Sequence, residues 1–292
     1  MTGKLFANRY EIIDKLGNGS FGRVYLVKDT KTGKEYALKV EKATNTRNTM
    51  AKELEVYSHI RDGMQNVPRI VSYWKGASHR DDKGIVTFHQ YMLMERLGKS
   101  LNSMKDSLGG KVQWKVLVRI AMQTITLTQK LHSQGFVHRD IKPDNFVLGV
   151  GDKKGIVYML DFGLSRKWED LLDKYTQNDE TSSSKSIVGT ARYMSINVHN
   201  SRVYGWRDDM ESLGYVLVFL LTGSLPWQGQ RAPTKRLQMK RILAVKERSK
   251  KTLCHGLPEP LAKYMEYCWN LELETQPDYR YLWELFNALS EE

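Results

Sequence analysis

The sequence predicts an α+β protein in which a small β-rich lobe with one main helix precedes a larger, mainly helical lobe. Alternating apolar and polar residues in the first quarter of the chain indicate strands, and residues 49–60 interrupt them with a helical pattern. From residue 101 onward the helical pattern dominates. We expect a single domain over residues 1–292, with 1–95 as the small lobe and 96–292 as the hinge and large lobe.

Each element is predicted from its local pattern. The small lobe is expected to contain, in order, three strands, a helix and two strands at 10–16, 23–29, 35–40, 49–60, 69–73 and 85–94. A turn is expected at 30–33, and the charged residues 78–84 are expected to form an exposed hairpin tip. Helices of the large lobe are expected at 111–134, 208–221, 234–247, 259–271 and 279–290.

Composition narrows the class of protein without deciding the function. The chain is 41% hydrophobic and carries a formal net charge of +12, which favours acidic or phosphorylated partners, nucleic acid or anionic membrane. Its first residues lack an apolar signal core, and the longest apolar run, 215–221, is too short to span a bilayer. Cys254 and Cys268 have no metal-ligand spacing. We therefore expect a reduced, intracellular monomer in the cytoplasm and/or nucleus.

Residues 136–147, FVHRDIKPDNFV, place polar residues at fixed offsets between apolar ones. That spacing suits the transfer of a phosphoryl group from ATP to a hydroxyl: Asp140 would accept the proton, Lys142 would stabilise phosphoryl oxygens and Asn145 would hold Mg²⁺. A polar loop between two strands is the alternative. The motif gains weight only from other motifs in the same chain.

Two further motifs, together with a lysine described below, fit the handling of ATP phosphates. Residues 17–24, GNGSFGRV, lie between two predicted strands, where Gly17, Gly19 and Gly22 would let the backbone approach phosphates closely. The strand that follows favours a strand–loop–strand lid over a dinucleotide-binding turn. Residues 160–163, LDFG, end an apolar strand with Asp161, which would be a second Mg²⁺ ligand. A simple turn is the alternative there.

Lys39 emerges from the apolar strand at 37–40 and is either an exposed edge lysine or a clamp on the α- and β-phosphates. Such a clamp needs an acidic partner. We assign Glu53, on the predicted helix, to that role and keep Glu55 as the neighbouring candidate, which faces another side of the helix.

The ordered set resembles eukaryotic protein kinases over nearly the whole chain, and the casein kinase 1 family more closely. The closer resemblance rests on GTARYMSIN at 189–197, RDDMESLGY at 207–215, GSLPWQG at 223–229 and PDY at 277–279. It implies a bilobal protein kinase fold and an ATP-dependent Ser/Thr protein kinase with Mg²⁺ as cofactor. Asp140, Lys142 and Asn145 would be catalytic, and Asn145 and Asp161 would hold the metal.

The resemblance also implies a nucleotide site in the cleft, with Met94 as gatekeeper and a hinge at 95–97. Its residues would be Leu16, Gly17, Gly19, Gly22, Val24, Ala37, Lys39, Glu53, Met94, Glu95, Leu97 and Val147. Asp209 would brace the catalytic loop from a buried helix.

Substrates implied by the resemblance are acidic or phospho-primed proteins. Basic residues that match an anion site, or could form a second one, are Arg139, Arg166, Lys185, Arg192 and Lys235. A solvated surface charge is the alternative for each. Gln238 departs from the family, which typically has lysine there, so priming recognition is expected to be weaker unless Lys235 or Lys240 compensates.

Other interpretations remain open. The divergent activation segment and Gln238 leave a low-activity, ATP-binding scaffold as an alternative, and a small-molecule kinase is a weaker one. Residues 181–186 are either an autophosphorylation cluster or a polar loop. The basic stretch 235–251 is expected to form an amphipathic helix, and nucleic acid is not expected as the main partner because aromatic residues are not interleaved there.

Overall fold

The computed structural model describes residues 5–18, 22–42, 49–60, 62–80, 86–176 and 188–288. It has the predicted α+β architecture, with a curled sheet at the N-terminal end and a helical remainder. Gly19, Lys185 and the cluster at 181–186, all singled out from the sequence, lie outside the described residues.

The small lobe is one antiparallel sheet. Its six strands are β1 (Leu5–Phe6), β2 (Tyr10–Asn18), β3 (Gly22–Asp29), β4 (Glu35–Lys42), β5 (Ile70–Arg80) and β6 (Val86–Glu95), in the spatial order β1-β2-β3-β4-β6-β5. Burial alternates along β3, as expected for a strand with one face on a core. The turn predicted at 30–33 is present, and buried Asp29 holds it by accepting hydrogen bonds from Thr32 and the backbone of Lys31.

Helix α1 (Thr49–Ile60) follows β4 in the chain and contacts it through the ion pair of Glu53 with Lys39. Met50, Glu53, Tyr57 and Ile60 recur at helical spacing and are buried, so one face of the helix packs inward. That face carries Glu53 toward Lys39 and turns Glu55 outward to solvent. The packing of α1 therefore decides between the two acidic candidates by geometry.

The large lobe is built on helices. They are α2 (Leu101–Ser107), α3 (Trp114–Ser133), α4 (Trp168–Thr176), α5 (Ile196–His199), α6 (Trp206–Thr222), α7 (Lys235–Ser249), α8 (Glu259–Asn270) and α9 (Tyr279–Asn287). Four short strands form two pairs, β7 (Phe136–Val137) with β10 (Arg166–Lys167), and β8 (Phe146–Leu148) with β9 (Val157–Met159). Helix α6 is buried from Asp208 to Leu220 and forms the centre of this lobe.

Several predicted boundaries were wrong for identifiable reasons. Helix α3 begins at Trp114 rather than at 111, because the backbone of Val112 instead donates to Leu220 O and Gln113 is extended. Strand β5 continues through Arg80, so the predicted hairpin tip begins later than residue 78. Helices α2, α4 and α5 were not predicted individually. In the described ranges, no helix is both long and apolar enough to cross a bilayer.

Candidate active site

A buried lysine with three carboxylates lies between the small lobe and the loop after β9. Lys39 Nζ is 2.6 Å from Glu53 Oε2, 2.9 Å from Asp161 Oδ1 and 3.7 Å from Glu41 Oε1. Lys39 lies on β4, Glu53 on α1, and Asp161 directly before a 3₁₀ turn at Phe162–Leu164. The cluster thus joins the sheet, the helix and the large lobe through one ammonium group.

Burial and neighbouring charges shift the pKa values of Lys39, Glu53 and Asp161 in different directions. Burial alone would lower the pKa of Lys39, but the carboxylates of Asp161, Glu53 and Glu41 raise it well above its usual value, so the lysine is charged. Burial raises the pKa of Glu53 to about 7, opposed by Lys39. Burial also opposes ionisation of Asp161, yet Lys39 and Lys142 lower its pKa overall. Asp161 is therefore the carboxylate best kept ionised for a metal.

The glycine-rich segment shows two different reasons for glycine. A Cβ on Gly22 would lie 2.2 Å from Val40 O, so the pairing of β3 with β4 itself requires glycine. Among the described residues, a Cβ on Gly17 would meet nothing within 4 Å, so their packing does not explain that glycine. Beside it, Leu16 lies at a register shift in the β2–β3 pairing and is 50% exposed. Open space at Gly17 fits the expected close approach of a phosphate group.

The predicted adenine-contacting residues come from both lobes. Ala37 of β4 is paired with Met94 of β6, and Val24 of β3 with Lys39. From the large lobe, Val147 of β8 bridges to Ser100 just after the hinge. Strand pairing thus sets Ala37 beside Met94, and the adenine-contacting role of these residues stays a prediction.

Backbone hydrogen bonds hold the hinge on both sides of Leu97. Before Leu97, the backbone of Glu95 donates to Arg69 O; after it, Gly98 donates to Leu148 O. Lys153, on the loop between β8 and β9, also reaches Glu95 Oε1 at 2.9 Å. The hinge backbone between 95 and 98 is therefore fixed between the lobes.

The catalytic loop presents Asp140 with both carboxylate oxygens engaged. Lys142 Nζ contacts Oδ2, and the hydroxyl of Thr190 donates to Oδ1 at 2.8 Å. The adjacent backbone of Gly189 has φ of +98°, and a Cβ there would lie 2.7 Å from Arg139 O. Thr190 was not assigned a role from the sequence. Its position within GTARYMSIN was visible, but its contact spans 50 residues of chain and cannot be inferred from local pattern.

Asp209 of α6 supports this loop from below. Its Oδ2 accepts the backbone N–H of His138 at 2.7 Å, and its Oδ1 accepts that of Arg139 at 3.0 Å. Nε2 of His132 and the hydroxyl of Tyr204 also lie within hydrogen-bond distance of the carboxylate, at 2.9 and 2.5 Å. Burial opposes ionisation of Asp209, but these hydrogen bonds lower its pKa overall. The left-handed conformation of Arg139, with φ of 69°, is held by the same carboxylate.

Asn145 and Asp161 offer hard oxygen donors of the kind that Mg²⁺ prefers. The side-chain N–H of Asn145 donates to Asp140 O at 2.9 Å, which leaves its amide oxygen as the atom for a ligand. Among the described residues, no group of three or more His, Cys, Asp or Glu side chains could hold a metal by itself. Two oxygen donors suit Mg²⁺, which keeps sites for water and phosphate oxygens.

Basic residues gather on the side of the catalytic loop facing α1. Burial and the charge of Arg166 lower the pKa of Arg139, and burial, Arg166 and Arg139 lower that of Lys52. Nε of Arg139 is buried without a hydrogen-bond partner in the described part of the chain. The sequence did not single out Lys52, although its position directly before Glu53 was a usable signal. Three neighbouring cations would attract an anion, and the anion-binding role of Arg139 and Arg166 stays a prediction.

Arg192 and Lys235 are the other predicted anion-site residues in the described part of the chain. Arg192 is exposed, with its guanidinium 5.6 Å from the centroid of the Phe219 ring. Lys235 is exposed at the start of α7, whereas Gln238 donates a 2.8 Å hydrogen bond to Gln230 O. The structure thus brings Arg139 and Arg166 together with Lys52 and does not bring Arg192 or Lys235 to that cluster.

A β-rich lobe over a helical lobe, with a lysine–carboxylate cluster above an aspartate loop, defines a phosphotransferase. A sequence model of the protein kinase domain matches residues 10–282. The chain belongs to the protein kinase family, and its substrates are therefore proteins.

Proposed function

We propose that this protein kinase transfers the γ-phosphoryl group of ATP to serine or threonine hydroxyls in acidic or phospho-primed proteins, as a member of the casein kinase 1 type. The observation that carries the proposal is Asp140, whose carboxylate is held at both oxygens and lies on a loop tied to buried Asp209. A general base must present a defined oxygen to the proton it accepts.

In this proposal the Asp140 carboxylate orients the acceptor hydroxyl, and the carboxylate oxygen nearest that hydroxyl accepts its proton. Lys142, already at the Asp140 carboxylate, stabilises negative charge on the transferring group. Kinase domains generally use ATP and Mg²⁺. Asn145 and Asp161 would hold the metal, which neutralises phosphate charge when bound. Lys39, fixed by Glu53, would bind the α- and β-phosphates.

Acidic or primed substrates are supported by charge. The chain carries 45 Lys and Arg against 33 Asp and Glu. Arg192 and Lys235 are exposed on the large lobe, and Lys52, Arg139 and Arg166 form a second basic cluster. Guanidinium groups bind phosphate with two parallel hydrogen bonds, so arginines suit a phosphorylated residue near the acceptor.

The first experiment measures transfer from radiolabelled Mg-ATP to two matched peptides, one with phosphoserine three residues before the acceptor serine and one with serine there. Asp140→Asn is expected to reduce kcat at least about 100-fold because the base is lost. Asp144→Asn, an exposed carboxylate in the same turn, is the matched control and should keep wild-type activity. Folded wild-type protein that transfers to neither peptide would overturn the proposal and favour an ATP-binding scaffold.

A second experiment tests substrate selection. Gln238→Lys restores a cation where the resembling family has one, so it should lower KM for the primed peptide relative to the unprimed one. Arg192→Ala should raise KM for the primed peptide relative to KM for the unprimed one. Equal KM values for both peptides in wild type and both variants would show that this enzyme does not read the priming phosphate.

A further inference from the structure

Helix α7 carries a lysine inside the protein. Lys246 is 1% exposed and belongs to the largest fully buried side chains of the molecule. Lysine is almost never fully buried unless its charge is compensated, because the transfer of an ammonium group out of water is costly. None of the roles assigned above uses this residue. Its burial therefore needs an explanation in terms of what it holds.

The ammonium group is bound by backbone and aromatic rings. Nζ donates to Ala191 O at 3.1 Å and to Met194 O, and it lies 4.8 Å and 5.0 Å from the ring centroids of Tyr215 and Trp227. Among the described residues no carboxylate lies within ion-pair distance of the ammonium, and Glu211 acts on it only by longer-range attraction. Desolvated cation–π contacts and hydrogen bonds to carbonyl dipoles are both strong for a charged donor. Lys246 thus fastens two carbonyls of one short segment.

Neighbouring side chains fasten the same segment, residue by residue. The indole N–H of Trp227 donates to Arg192 O at 2.6 Å, and the hydroxyl of Ser195 donates to Asp208 at 2.5 Å. The backbone N–H of Ile196 donates to Glu211 Oε1 at 2.8 Å. Residues 191–196, which have no regular strand pairing, are therefore held by side chains of α6 and α7 and of the loop between them.

The other end of this segment reaches the catalytic aspartate. Thr190 O accepts backbone hydrogen bonds from Tyr193 at 2.9 Å and Met194 at 3.1 Å, which closes a turn. The side chain of the same Thr190 donates to Asp140. A shift of the Met194 carbonyl would therefore move the turn whose hydroxyl sets one oxygen of Asp140. Residues that flank an acceptor hydroxyl at Asp140 must lie against this turn.

We infer that Lys246 is a positioning residue, which locks the segment 189–196 as the docking surface for the peptide beside the acceptor residue. The inference rests on the proposed protein-phosphorylating function. Burial lowers the pKa of Lys246 to about 7, while the negative charge of Glu211 raises it. The groups around the amine therefore control how much of it is charged. The lysine touches neither nucleotide nor acceptor and acts through the segment.

The test is steady-state kinetics of Lys246→Met, with peptide varied at saturating Mg-ATP and ATP varied at saturating peptide. Methionine keeps the length of the side chain and removes the ammonium. We expect KM for peptide to rise about tenfold, equivalent to about 1.4 kcal/mol, with KM for ATP unchanged within twofold. Lys251→Met, an exposed lysine five residues further on, is the matched control and should leave both KM values unchanged.

A residue with only a structural role would lower the active fraction, so kcat would fall while both KM values stayed constant. That result, or an equal rise in both KM values, would overturn the inference. If Lys246→Met does not fold, Trp227→Phe decides: it keeps a smaller aromatic ring, removes the hydrogen bond to Arg192 O, and should raise KM for peptide about threefold. Unchanged peptide KM there would overturn the inference.

Peptide affinity separates this inference from the proposed function. Fluorescence anisotropy of a labelled primed peptide measures Kd without turnover, and Lys246→Met should weaken Kd about tenfold whether or not the wild type transfers phosphate. Wild-type transfer with no change in Kd or peptide KM in the variant would reject the inference alone. Absent wild-type transfer with weakened variant binding would reject the proposed function alone.

Discussion

The hydroxyl of Thr190 donates a 2.8 Å hydrogen bond to Oδ1 of Asp140, while the other oxygen of the same carboxylate contacts Lys142. Two segments 50 residues apart thus fix the orientation of the proposed base. A carboxylate held at both oxygens has little freedom to rotate away from an incoming hydroxyl, which favours a reactive geometry.

Thr190→Val tests the value of this bond. Valine has nearly the same shape and removes only the hydroxyl, so we expect kcat to fall about tenfold, the equivalent of one hydrogen bond of about 1.4 kcal/mol. KM for ATP should not change. Thr190→Ser keeps the donor and should retain most of the activity. Wild-type kcat in the valine variant would show that Lys142 alone suffices to orient Asp140.

Gly189→Ala tests the close approach of this turn to the catalytic loop. Gly189 and Gly229 both have positive φ, 98° and 75°, but a Cβ would meet Arg139 O at 2.7 Å only at Gly189 and nothing within 4 Å at Gly229. Gly229→Ala should therefore cost about 1–2 kcal/mol of unfolding free energy from backbone strain alone. Gly189→Ala should cost more in urea unfolding and lower kcat more than tenfold. Equal losses at both sites would mean that the steric contact is relieved by movement.

Because the imidazole of His199 is buried, we expect the stability of the folded protein to depend on pH. Burial and the charge of Lys246 lower the pKa of His199 from 6.5 to about 3, so the imidazole is neutral in the folded state and the unfolded state binds the proton more readily. The stability it contributes is complete above pH 6.5 and is lost as pH falls toward 3. At pH 5 the loss is about 2 kcal/mol relative to pH 7.

The measurement is urea unfolding of wild type and His199→Gln at pH 7 and pH 5. All other titratable groups are common to both proteins, so the difference between their unfolding free energies reports His199 together with its charge coupling to Lys246. That difference should shift by about 2 kcal/mol in favour of the variant on acidification. A difference independent of pH would contradict a buried neutral imidazole.

Patterns with a short period predicted most of the fold. Alternation found five of the six strands of the sheet and missed β1, which has only two residues. Helical spacing found α1, α3 and α6 to α9 to within a few residues. Helix α5 has only four residues and cannot show a period. Boundaries such as the start of α3 depend on the partner of Val112, which is Leu220, far along the chain.

The residues of the candidate site also differ in whether a local sequence pattern could identify them. Asp140, Lys142 and Asn145 stand within one local motif, so sequence spacing alone could identify them. Thr190 and Lys246 act through tertiary contacts between distant segments, and neither has a local pattern that marks its partner. Lys52 is intermediate, because it becomes a cluster member only when α1 packs beside Arg139 and Arg166.

Glu53 and Glu55 provide the most direct test of the proposed nucleotide site, since they are two residues apart on α1 and differ in environment. Glu53 lies 2.6 Å from Lys39, and Glu55 is exposed. Glu53→Gln should lower kcat/KM for ATP at least tenfold, equivalent to about 1.4 kcal/mol, because Lys39 loses the carboxylate that orients it. Glu55→Gln should leave it unchanged.

Unfolding measurements on the same pair separate a loss of function from a loss of structure. Because burial already raises the pKa of Glu53 to about 7, removal of its charge should change the free energy of unfolding at pH 7 only slightly. The cluster still contains Asp161 and Glu41 to balance Lys39. A stable Glu53→Gln protein with weak use of ATP would therefore assign Glu53 to the positioning of Lys39, whereas equal activity in both glutamine variants would remove it from the site.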